Sequence, residues 1–279
     1  MGRFYYLCTE KARKRRQSMR VTLLQTDIEW ADPEANMVAA RRMMDQCDSH
    51  ADLYVLPEMW ATGFATDPES LEACRAGRPE APLEWMKAAA RQHNAAICGS
   101  LLYFDGHKRP HNRHYFVEPD GNIHHYDKRH LFIYGGEKSF VRGEKRCLAD
   151  FRGVRFMLTT CYDLRFPVWM RNNCHYDVLV CVANWPENRQ NVWDTLTKAR
   201  AIENQCYVIG CNRTGHDKYC QYAGGSAVID PKGYVVAEAK GRQAQAITAD
   251  IDIDALQAFR KKFPVLPDAD NFSLTDHLF

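Results

Sequence analysis

Short apolar runs recur along the whole chain, and none approaches the roughly 20 residues of a membrane span. RVTLLQT (20–26), DLYVL (52–56), AAICGSLLY (95–103), VRFMLTTC (154–161), DVLVCVA (177–183) and YVIGCN (207–212) each read as a buried strand. Helical spacing fills the gaps: EANMVAARRMMDQC (34–47) with Asp32 as cap and Pro33 at its first position, PLEWMKAAARQH (82–93), and residues 190–205 with Val192, Trp193, Leu196, Ala199 and Ile202 on one face. Such alternation predicts layered α/β. Other strands meet at tight turns instead of helices. Pro119-Asp120-Gly121 joins 113–118 to 122–127, and Asp230-Pro231-Lys232-Gly233 joins 225–229 to 234–239. A strand at 246–251 and a short helix at 252–262 follow, so the sheets are expected to be mixed. No linker divides the chain, and there is no internal repeat.

Charge is unevenly placed. Residues 1–18 hold six basic side chains and one acidic, +5, which leaves −3 for the other 261 residues of a chain whose net charge is +2. The body therefore has no general attraction for nucleic acid. The basic segment KARKRRQSMR reads as a solvated extension, with a nucleic-acid or lipid arm as the alternative. Met19, before the first strand, is a candidate natural start, which predicts an extension (1–18) and a single domain (19–279). Eleven cysteines at irregular spacing, with no CxxC and no secretory signal, predict a reduced cytoplasmic protein.

Four positions invite chemistry. Cys161 ends a strand where the chain turns toward a helix, and free amides at such an elbow favour a thiolate and an oxyanion. Local sequence alone favours a buried structural thiol there. Glu58 follows an apolar strand, where partial burial raises a carboxylate toward the working range of a base, or where it is a loop surface charge. Lys128 in YDKRHLF is a solvated lysine or an oxyanion-stabilising cation. Glu137 in FIYGGEKSF sits in a glycine-containing loop suited to capping a pocket, or is a surface charge. The His-rich stretch 107–130 lacks HExxH and a cysteine pair, so solvated or hairpin histidines are favoured over a metal site. Ser226 in GGSAV lacks the GxSxG context of a nucleophile.

Together, LPEMWATGF, YDKRHLF and LTTCYDLRFP resemble the glutamate, lysine and cysteine motifs of the nitrilase superfamily of carbon–nitrogen hydrolases, in that order. Lys128 follows Glu58 by 70 positions and Cys161 follows Lys128 by 33. The resemblance continues through TKARAIENQCYVIGCNRTG and GGSAVIDPKG and spans residues 20–262. It implies a four-layer αββα sandwich, commonly a homodimer whose helical layers meet, with Trp193 and Ala199 expected near that contact. It implies Glu58 as base, Lys128 as oxyanion-stabilising cation, Cys161 as nucleophile, Glu137 as the group positioning substrate and Lys128, and the Tyr162 N–H as part of the oxyanion hole. No metal or organic cofactor is implied.

CYDLRFPVW and LQAFRKKFPVLPDADNF look most like the ω-amidase branch, whose substrates are 2-oxoglutaramate and 2-oxosuccinamate. A substrate carboxylate needs donors. Arg165 is the candidate, with an ion pair holding the elbow as its alternative. Phe64, Tyr134 and Trp185 are candidate pocket walls, with aromatic core packing as the alternative for each. Rival functions are an N-carbamoyl-amine hydrolase or aliphatic amidase of the same superfamily and, from another class, a silent binding protein using the basic arm.

Overall fold

The computed structural model describes residues 17–47 and 50–273. In chain order its elements are β1 (Ser18–Gln25), α1 (Pro33–Asp45), β2 (Leu53–Val55), α2 (Pro68–Ala76), α3 (Ala81–His93), β3 (Ala96–Phe104), β4 (Pro110–Val117), β5 (Ile123–Asp127), β6 (Leu148–Phe151), β7 (Val154–Thr160), α4 (Pro167–Met170), β8 (Val178–Ala183), α5 (Gln190–Asn204), β9 (Tyr207–Asn212), β10 (Thr214–His216), β11 (Gln221–Ala223), β12 (Ala227–Ile229), β13 (Val235–Glu238), β14 (Gln245–Asp252) and α6 (Ile253–Lys262).

Two six-stranded sheets result, in the orders β14-β1-β2-β3-β4-β5 and β13-β12-β9-β8-β7-β6, with β10 and β11 as a separate hairpin. Each sheet has a parallel centre, β1-β2-β3 in one and β7-β8-β9 in the other, flanked by antiparallel strands. This is the expected mixed topology.

Period-two alternation decides the layering. Met19, Val21 and Leu23 of β1 enter one core with Phe156, Leu158, Val180 and Ile209 of the other sheet. Leu24, Tyr54 and Ile97 point the other way, onto Ala40 and Met44 of α1 and Met86 and Ala90 of α3. Phe116 bridges the sheets, with ring centroids 5.8 Å from Phe151 and 5.2 Å from Phe156. On the far side, Trp193 of α5 packs with Cys181, Ala183 and Trp185. The order is helix, sheet, sheet, helix: the αββα sandwich. Each fully buried Leu or Val contributes about 1.5–3 kcal/mol.

Local signals set several ends. The Asp32 side chain accepts from Ala35 N and Pro33 opens α1, as expected. Asp67 caps α2 in the same way. That helix was not expected, because only Ser70 of its residues is buried and the apolar periodicity is weak. Of the expected extension, residues 1–16 lie outside the described residues; Ser18 pairs with Asp252, and Gln17 N donates to Asp254 Oδ2 at 2.9 Å. Trp193 faces its own core, 1% exposed, with Nε1 donating to Gly225 O at 2.8 Å. Ala199 is half-buried. No helix among the described residues is long and apolar enough to cross a membrane.

Candidate active site

Strand ends bring the chemistry together. Glu58 follows β2, Cys161 follows β7 and Asn184 follows β8, all at carboxyl ends of central parallel strands, where α/β sheets place their sites. Lys128 follows β5. The two sheets meet there: Asn184 N donates to Glu58 Oε2 at 2.8 Å, and Asn184 Nδ2 donates to Glu58 O at 2.9 Å.

Glu58, Lys128 and Glu137 form a cluster closed to solvent. Lys128 Nζ donates to Glu58 Oε1 and to Glu137 Oε2, each at 2.9 Å, and all three side chains are 0% exposed. Glu137 Oε2 also accepts from Phe132 N at 2.6 Å. Gly136, at φ +119, makes the turn into Glu137; a Cβ there would meet Thr66 Oγ1 at 2.3 Å. The surface-charge alternatives for Glu58, Lys128 and Glu137 are therefore excluded, and Glu58 is wholly rather than partly buried. Burial works against the Lys128 ammonium, but Glu137 and Glu58 outweigh it and hold its pKa well above the ordinary lysine value. Burial raises the Glu137 carboxyl; Lys128 opposes this and Glu58 adds to it.

Cys161 opens a five-residue 3-10 turn, Cys161–Arg165, and is itself left-handed at φ +47. A non-glycine residue in that region is strained and is held there by its surroundings. Asp163 supplies the hold. Its Oδ2 accepts from Thr160 N (2.9 Å) and Tyr126 OH (2.7 Å); its Oδ1 accepts from His130 N (3.0 Å) and lies 2.8 Å from His130 Nδ1. The elbow is thus tied to the segment that carries Lys128. The thiol does not follow the thiolate expectation. Burial and the facing Glu58 carboxylate raise its pKa well above that of a free cysteine, against a smaller opposite pull from Lys128. A neutral thiol facing a carboxylate can give up its proton as it attacks.

Cys161 and Lys128 line a cavity of about 820 Å³. All four expected substrate-side residues, Phe64, Tyr134, Arg165 and Trp185, line it too, as does Tyr162. Tyr134 is 94% exposed and cannot be core packing. Phe64 lies under Lys128, with Nζ 5.5 Å from its ring centroid. The Arg165 guanidinium sits 5.3 Å over Trp185 and forms no ion pair among the described residues, which removes the elbow ion-pair alternative. Arg189, in the same wall and 5.4 Å over Phe132, is similarly without a carboxylate partner among the described residues. The β10–β11 hairpin adds Asp217, Tyr219, Cys220 and Tyr222 to the lining.

Sequence reasoning missed Asn112, Asn184, Asp163 and Arg189. Asp163 and Asn184 are single polar residues beside apolar runs, Asn112 and Arg189 sit among other polar residues, and spacing alone gives no sign of their partners. The set-aside residues have structural places. Ser226 Oγ donates to Asn212 O at 2.9 Å and accepts from Asn212 N at 3.0 Å. His114 is not solvated: its ring reaches Cys98 Sγ and Thr159 O, both at 3.0 Å, and burial lowers its pKa to about 4. Among the described residues no three His, Cys, Asp or Glu side chains are grouped to hold a metal ion.

The carbon–nitrogen hydrolase family model matches residues 20–261. The chain is 42% identical over 258 residues to the omega-amidase YafV of Escherichia coli K12, covering 92% of this chain and 98% of that protein. It is 34% identical over 252 residues to the 2-oxoglutaramate amidase of Bacillus subtilis, covering 89% and 96%. Among solved structures, XC1258 of Xanthomonas campestris, a CN-hydrolase superfamily protein with an arsenic adduct in its active site, superposes with a TM-score of 0.87 at 35% identity, covering 93% of this chain and all of that one.

Proposed function

The chain belongs to the carbon–nitrogen hydrolase family, and on that premise we propose that it is an ω-amidase, hydrolysing the terminal amide of 2-oxoglutaramate or 2-oxosuccinamate to the 2-oxo dicarboxylic acid and ammonia. The observation that carries this reading is one cavity holding Cys161 and Lys128 beside two guanidiniums, Arg165 and Arg189, that have no carboxylate of their own among the described residues. Such donors suit a substrate with a carboxylate remote from its amide.

The reaction follows from the cluster. Glu58 takes the proton of the Cys161 thiol as sulfur attacks the amide carbon. Lys128 carries three N–H bonds, of which two go to Glu58 and Glu137; the third faces the developing oxyanion, together with the Tyr162 N–H. Glu58 returns the proton to the leaving nitrogen as the C–N bond breaks, releasing ammonia and leaving a thioester. Water, deprotonated by Glu58, adds to the thioester; the C–S bond breaks and the thiol regains its proton. Glu137 holds Lys128 in place throughout.

A homodimer meeting through its helical layers, a cytoplasmic location and a reaction that involves no nucleic acid complete the proposal. Ile202 on α5 and Val235 and Val236 on β13, all exposed, support the dimer, and sedimentation tests it. The activity is tested by a panel of amides scored for ammonia release. 2-Oxoglutaramate turning over faster than N-carbamoyl amines and simple aliphatic amides supports the reading, and the reverse order defeats it.

A further inference from the structure

Glu58 and Glu137 are bridged twice. One bridge is the Lys128 ammonium. The other is the neutral carboxamide of Asn112 on β4, whose Nδ2 donates to Glu58 Oε1 at 2.7 Å and to Glu137 Oε1 at 3.0 Å. Asn112 is 0% exposed, and its orientation is fixed. Its Oδ1 accepts from Ser100 Oγ at 2.8 Å, and Ser100 Oγ accepts from Met59 N at 2.8 Å. A flipped amide would set Oδ1 against two carboxylates. The chain of bonds therefore runs from the backbone beside Glu58, through Ser100 and Asn112, back to the Glu58 side chain. Met59 closes it in the left-handed region, at φ +43.

The donors divide the two oxygens of Glu58. Oε1 accepts from both Lys128 and Asn112, which fills its two lone-pair directions. Oε2 accepts only from Asn184 N among the hydrogen bonds described and keeps one direction open.

We propose that Asn112 is a positioning residue for the reaction: held by Ser100, it occupies the Oε1 side of Glu58 and confines proton exchange with Cys161 to Oε2. The inference rests on reading Glu58 as the base of Cys161. The titratable groups facing Glu58 are Lys128, Glu137, Cys161 and the buried Cys181. Asn112 adds no charge to this set. It acts by the hydrogen bonds that hold the Glu58 carboxylate in one orientation.

The test compares wild type with Asn112→Leu, Ser100→Ala and Glu58→Gln, following kcat and KM for ammonia release from 2-oxoglutaramate across pH. The rate of Cys161 alkylation by iodoacetamide, read on its tryptic peptide, is followed in parallel and does not depend on which amide is the substrate. Asn112→Leu is expected to lower kcat about 10- to 100-fold with KM nearly unchanged. The acid limb of kcat/KM and of alkylation is expected to move up in pH, because the carboxylate facing the thiol loses a hydrogen-bond donor. Ser100→Ala is expected to move both in the same direction by less. A folded Asn112→Leu enzyme whose acid limbs stay in place overturns the proposal; if that variant does not fold, unmoved limbs in Ser100→Ala overturn it. Retained turnover in Glu58→Gln instead removes Glu58 as base, and the inference with it.

Discussion

Lys128 Nζ and Glu58 Oε1 are 2.9 Å apart, with neither side chain reaching solvent. A buried pair of this kind is a weak source of net stability, because taking both charges out of water costs nearly what their attraction returns. Breaking it from one side is another matter, since Glu137 shares the same ammonium.

Lys128→Met should therefore destabilise the fold by about 3–5 kcal/mol, as two buried carboxylates lose the cation they share. The deficit has a sign with pH. Burial already raises the Glu137 carboxyl, and without Lys128 the largest pull against that rise is gone. The penalty is then fully present above the raised folded value and is relieved as pH falls from it toward the unfolded value of roughly 4.3. Urea denaturation should find the variant's deficit larger at about pH 8 than at about pH 5. A pH-independent deficit would show that the carboxylates do not depend on Lys128.

Arg165→Met and Arg189→Met should each raise KM for 2-oxoglutaramate by about 10- to 100-fold, the loss of one charged hydrogen bond, with a smaller change in kcat. A neutral amide should be affected much less. Equal losses on charged and neutral amides would mean that the guanidiniums shape the cavity without reading a carboxylate.

Asp163→Ala should cost about 3–5 kcal/mol of stability and most of the activity, because Thr160 N, Tyr126 OH and His130 lose their acceptor at the elbow. Thermal unfolding and ammonia release measure the two effects. A stable, inactive Asp163→Ala protein would place Asp163 in the chemistry instead of the support.

Removal of residues 1–16 should leave ammonia release unchanged, since the family match begins at residue 20 and Ser18 already pairs within the sheet. A large loss of turnover would give the basic arm a catalytic part.

The outline of the fold was legible because buried strands declare themselves. YVIGCN is β9 at its expected limits, and the helix expected at 190–205 is α5 to within a residue. β6 and the β10–β11 hairpin went unread. LADF, TGH and QYA are too short to show a period. Within the site, Glu58, Lys128 and Cys161 stood out only as three motifs taken together. Asn112 stayed hidden in PHNRHYFV because its neighbours, His111 and Arg113, make the segment look solvated. Strand alternation sends those side chains away from the cluster and Asn112 into it. A hydrogen bond across 54 positions to Glu58 leaves no trace in local sequence.

The central claim is that Cys161 carries the acyl group of an ω-amide. Its most direct test is ammonia release from 2-oxoglutaramate by wild type and by Cys161→Ala, with quenched wild-type turnover analysed by peptide mass spectrometry. The account predicts loss of turnover by about 10³-fold or more in a folded variant, and an acyl adduct on the peptide containing Cys161. Turnover by Cys161→Ala close to wild type, or an adduct on another cysteine, would contradict it.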